Sequence, residues 1–157
     1  MQPEHPVARL DDSAGREAFG RLGVTRFRGK CLGDVPQLQR RGPKTLGLTH
    51  VAEGEILPFS ELDCDRVRNF VQPKLARKNR LRADQLLGRA LGRVLAHELY
   101  HMLAKTAAHG LSGIATATLT AEELVGGQPR LHAEQSEGIR RSLLEAGLPA
   151  ITASAAR

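Results

Sequence analysis

His97, Glu98 and His101 stand in the order His-Glu-x-x-His. On a helix, residues four apart lie one above the other on a single face, so both imidazoles can grip one Zn²⁺. A glutamate directly after the first histidine is placed to take a proton from a water activated by that zinc. The pattern points to metal-assisted hydrolysis with Glu98 as general base. Catalytic zinc takes three protein ligands and keeps one position open, so a third donor is needed. His109 is the first candidate: seven residues separate it from His101, and Gly110 follows it. On a straight helix His109 would stand roughly 12 Å beyond His101. Ligation therefore requires the helix to end near Lys105–Ala108 and the chain to curl back, with Gly110 and Gly113 giving the turn its freedom. Glu122 is a rival third ligand, whereas Glu123 has a capping role with Thr120. His50 and His132 read as strand or surface histidines. Glu122 or His132 could still be a fourth ligand, closing the site into a structural one. Asp63 and Asp65 are candidates to orient a ligand imidazole from behind. Tyr100, the only tyrosine, reads as packing beside the histidines.

The histidines need a long helix to hold them, and the sequence predicts one from about Asn79 or Asp84 to about Thr106. At about 100° per residue, Leu91, Leu95, Leu99, Met102 and Leu103 share one broad apolar sector. The histidines face another side, shared with Ala90, Arg93, Ala104 and Ala108, where a cleft could form. Gly88 and Gly92 weaken a helix and are expected to allow close packing against a sheet. Upstream, the segments 23–28, 45–51 and 56–62 read as strands, with Glu53-Gly54-Glu55 as a turn. Pro58 favours an edge position for the third strand. Asp63 or Asp65 could cap a helix that runs through Val67 to Val71 and stops near Pro73. Ala14–Leu22 could be a short helix, and Cys31 to Lys44 reads as a loop. Downstream, a loop covers Leu111 to Leu119, and Thr120-Ala121-Glu122-Glu123 opens a short helix that Gly126-Gly127 ends. A last amphipathic helix runs from His132 to Ala146, carrying Ile139, Leu143 and Leu144, before Gly147 and Pro149. The expected fold is α+β: a small mixed sheet on a long active-site helix, with C-terminal helices. Residues 1–44 would be a weakly patterned segment of the same domain, 45–147 the core, and 148–157 a flexible tail.

The chain has 157 residues, enough for one domain with a real core. Its 41% hydrophobic and 25% charged residues suit an ordinary globular protein. Aromatics are only 3%, so Leu, Val, Ile and Ala must build the core. The net charge is +6, with basic residues clustered at Arg40 to Lys44 and Lys74 to Arg82. No aromatic rings interleave with them, so nucleic-acid stacking is not indicated and a solvated basic surface is expected. Polyanion binding by the 74–82 stretch is a separate reading, marked by steep salt dependence. No run approaches the ~18 apolar residues of a membrane span, and residues 1–20 lack the apolar core of a signal peptide. The expectation is a cytoplasmic protein, with export open only if the true start lies elsewhere. Cys31 and Cys64 fit one disulfide or two free thiols; isolated cysteines without CxxC pairing read first as small core residues.

The stretch Leu91 to His101, continued through His109-Gly110 and Gly113-Ile114-Ala115, resembles the zincin metallopeptidases. More closely, it is similar to a group of bacterial proteins with HExxH, seven residues, a third His and a Gly-Ile turn. The likeness covers roughly Thr45 to Leu144. It implies an α+β zincin core, a bound Zn²⁺, and a peptide or protein substrate. Carried over residue by residue, His97, His101 and His109 would be ligands and Glu98 the base. An edge strand, expected at Ile56–Leu62, would lie above the helix and pair with an extended peptide. The chain departs from metzincins: Ala104 stands where they have Gly, Ala107 where their third His falls, and Ala115 where a Met-turn has Met. The alternative is a non-catalytic zincin-like module that binds metal structurally or binds a partner.

Overall fold

A computed structural model of the chain describes residues 23–29, 31, 45–127 and 130–147. They fold as α+β, with strands β1 (Val24–Arg28), β2 (Gly47–Ala52) and β3 (Glu55–Asp63). Four helices follow: α1 (Cys64–Leu75), α2 (Arg80–Ala104), α3 (Ala121–Val125) and α4 (Ala133–Glu145). The helix expected at 14–22, the 32–44 stretch of the expected loop and the 148–157 tail lie outside the described residues.

β2 and β3 form a hairpin. Glu53 and Gly54 both take positive φ, 52° and 83°, as a two-residue turn matched to the strand twist requires. β3 also pairs in parallel with β1, from Val24↔Phe59 to Arg28↔Asp63. The strand order is β1-β3-β2, so the strand expected at the edge is the central one. Pro58 is accommodated because pairing with β1 begins only at Phe59 and β2 is irregular between Thr49 and Val51. The ladder bond that a proline cannot donate falls where the ladder is already interrupted. The strand edge over the long helix is therefore β2.

Asp63 caps α1, its carboxylate accepting from Arg66 N at 3.0 Å. Pro73 does not stop this helix, which runs on to Leu75. Asn79 caps α2 by accepting from Arg82 N at 2.9 Å, and 25 residues later the helix ends at Lys105, in left-handed conformation with φ 50°. Its buried face carries Ala90, Val94, Glu98 and His101. The broad apolar sector is only partly buried, with Met102 5% and Leu103 40% exposed. Helix periodicity ranks faces by greasiness, but hydrogen-bonded polar side chains can also be buried, and here they are. Gly88 and Gly92 do not touch the sheet: a Cβ added to either would meet nothing within 4 Å.

The core joins Leu62 of β3, Val67 and Val71 of α1, Ala90 and Val94 of α2, and Leu124 of α3. The paired spacing of four on each long helix makes the facing stripes. This cluster contains no aromatic ring, as the composition required. Each buried Leu or Val stabilises the fold by about 1.5–3 kcal/mol. Thr120 and Glu123 form the expected capping box of α3. α4 packs on α2, with Gln135 its one buried residue.

Cys31 and Cys64 form a disulfide, not two free core thiols. The parallel register explains it. Arg28 pairs with Asp63, so the chain leaving β1 passes the start of α1, and the two Cα atoms lie 4.9 Å apart. Among the described residues, no helix is long and apolar enough to cross a membrane.

Candidate metal centre

His97 and His101 lie in the last two turns of α2, where their spacing of four stacks them on one face. The helix then stops. Thr106 N and Lys105 N both reach back to the His101 carbonyl, and Thr106 Oγ1 accepts from Ala108 N at 3.0 Å. This reversal carries His109 back over the other two rings. Its ring centroid lies 5.3 Å from that of His97 and 4.8 Å from that of His101. The chain thus curls back where ligation requires it, with Lys105 rather than a glycine taking the left-handed turn.

A ligand nitrogen from each of the three histidines lies within 4.8 Å of the others, so the group could hold a metal ion. The hydrogen bonds behind two of the rings strengthen this. His97 Nδ1 lies 2.7 Å from the Ile114 carbonyl and His101 Nδ1 lies 2.7 Å from the Thr106 carbonyl. A carbonyl only accepts, so each Nδ1 donates, and in the neutral form of such a ring Nε2 is bare. These two nitrogens face each other at 3.0 Å. Two bare nitrogens so placed would repel, and a shared cation would turn that repulsion into ligation. Burial lowers the pKa of His97, aided by the His109 charge and opposed by the Ile114 carbonyl. Burial, then the His101 charge, lowers that of His109. Both shifts favour the neutral rings that bind metals.

Glu98 is 5% exposed. Thr49 of β2 donates to its Oε2 at 2.6 Å. Burial raises the Glu98 pKa, while the Thr49 hydroxyl and the charge of His101 pull it back. Gly47, two residues before Thr49, lets the strand approach: a Cβ there would stand 2.5 Å from Glu98 Oε1. Two other glycines hold the loop below. Gly113 has φ 77°, and a Cβ on Gly110 would stand 2.5 Å from Gln135 Nε2. Tyr100 packs with its ring 5.4 Å from that of His101.

The site opens into a cleft of about 680 Å³ between β2 and the 116–119 segment, with the three histidines and Glu98 in its lining. Leu46, Phe70, Val94 and Leu119 make much of its wall apolar.

Other sequence candidates lie elsewhere. Glu122 pairs with Lys74 and is largely exposed. His132 sits 2.9 Å from Ser112 Oγ, and neither joins the histidine cluster. His50 is a strand histidine, with its ring 4.7 Å from that of Phe59. Asp63 is the α1 cap, and Asp65 lies against Gly29; backbone carbonyls orient the imidazoles instead. Gly47 and Thr49 are not evident as site residues in the sequence. Their only trace is their spacing of two on a predicted strand, which puts both on one face.

No family model matches the chain, and no curated protein or solved structure matches it either.

Proposed function

We propose that the protein is a zinc-dependent hydrolase, a peptidase of the zincin kind, with His97, His101 and His109 as ligands and Glu98 as general base. The observation that carries this reading is the convergence of imidazole nitrogens beside a buried carboxylate in an open cleft. Three imidazoles suit zinc among several divalent metals, and three ligands with an open position are the catalytic form of a zinc site. A closed structural site would need a fourth ligand, and none joins the cluster among the described residues.

Zinc bound there would lower the pKa of a water and polarise a substrate carbonyl. Thr49 holds Oε2 of Glu98, which leaves Oε1 to accept the proton of the attacking water and later deliver it to the leaving amine. Among the described residues β2 is an edge strand, and an extended peptide would pair with its outer side. The apolar wall of the cleft suits a greasy substrate side chain.

The test combines metal content with turnover on a peptide library. The wild type should hold close to one zinc per chain, and His109→Ala should lose most of it. Glu98→Gln should keep the zinc and lose roughly 10²–10⁴-fold in turnover. Hydrolysis undiminished in pure Glu98→Gln protein would sink the proposed base, and zinc-free wild type after reconstitution would sink the metal centre.

A further inference from the structure

A second cavity of about 280 Å³ adjoins the Gly113–Ile114 turn, and Arg93, Glu123, Arg130 and His132 line it. Arg93 lies one helical turn before His97, yet it takes no part in the metal centre. It is only 6% exposed. One of its nitrogens donates to the Gly126 carbonyl at 2.8 Å, and its Nε is buried with no partner. Among the described residues no carboxylate pairs with it. Glu123, the one acidic residue of the lining, spends its Oε2 on the amide and hydroxyl of Thr120. A buried guanidinium with a free N–H and no carboxylate in contact with it is unfavourable until an anion joins it. Burial and the nearby Arg89 push its pKa down from the usual arginine value, which is the same lack of compensation seen from the proton's side.

Arg130 adds a second positive charge to a lining otherwise made of Glu123, His132 and the uncharged Gly113, Ile114, Leu119 and Gly127. Arg130 is exposed at the cavity, and its own carbonyl accepts from Ile114 N at 3.0 Å. His132 is the N-cap of the 13-residue α4, so the positive end of a helix dipole faces this region.

We propose that this cavity binds a small oxyanion, a carboxylate or phosphate group, through Arg93 with Arg130 and His132 on its exposed side. Both groups offer two oxygens to a guanidinium fork, so both share the required chemistry. This site stands independently of the hydrolase reading.

The full chain should be titrated with inorganic phosphate and, separately, with acetate. Ionic strength is held constant with chloride, and binding is read by calorimetry and by the unfolding midpoint. Saturable binding of at least one ion by the wild type is expected, and the ion preferred identifies the source. Arg93→Lys keeps the charge but removes the fork, and should abolish binding. Since Arg93 also supports the end of α3, Arg130→Ala provides a second variant at an exposed position. It should weaken binding about tenfold, the loss of one charge-assisted hydrogen bond. No saturable binding beyond the chloride control, or unchanged affinity in Arg130→Ala, would overturn the proposal.

Discussion

Gly47 decides where Glu98 can be. Its missing side chain leaves room for a carboxylate that a Cβ would meet at 2.5 Å, and Thr49 then holds that carboxylate in place. Gly47→Ala should therefore push the proposed base off its position while leaving the three imidazoles alone. Displacement of a catalytic group by about 1 Å costs on the order of 10²-fold. Turnover should fall by that order with bound zinc unchanged, and equal turnover would show that β2 does not seat Glu98. The difference between His97 and Thr49 shows what the sequence could reveal. His97, Glu98 and His101 announce themselves because helix geometry converts a spacing of four into proximity. His109 was legible only because ligation demanded a helix end. Gly47 and Thr49 meet Glu98 across about fifty residues, and no local pattern carries such a contact.

Element types were read well, and their relative placement less so. All three strands and the long helix occur where alternation, caps and periodicity put them. The position of β3 is not legible because Pro58 speaks only for its own backbone N–H, and the break in the β2 register together with the late start of the β1 pairing satisfies that demand at the sheet centre. Gly88 and Gly92 were misjudged for a related reason. A glycine in a helix signals either close packing or nothing, and here both positions face open space. Filling them should recover lost helix propensity. Gly88→Ala and Gly92→Ala should each stabilise the protein by about 0.5–1 kcal/mol. Urea unfolding would show this as raised midpoints with unchanged zinc content. A lowered midpoint would mean that something packs against this face of α2.

At the scale of the whole molecule, the Cys31–Cys64 bridge ties the parallel edge of the sheet to the first helix. It was undecidable from two isolated cysteines, because only the pairing of β1 with β3 brings them together. Such bridges persist in oxidising compartments. Closing a separation of 33 residues removes unfolded-state entropy equivalent to roughly 3–4 kcal/mol. Reductant, or Cys31→Ser with Cys64→Ser, should lower the unfolding midpoint accordingly, and an unmoved midpoint would mean that the bridge does not form. The bridge also makes a covalent ring of residues 31–64, which contains both strands of the hairpin. A single backbone cut inside that ring opens it without dividing the protein. The two pieces would travel as one body on a gel until a reducing agent parted them.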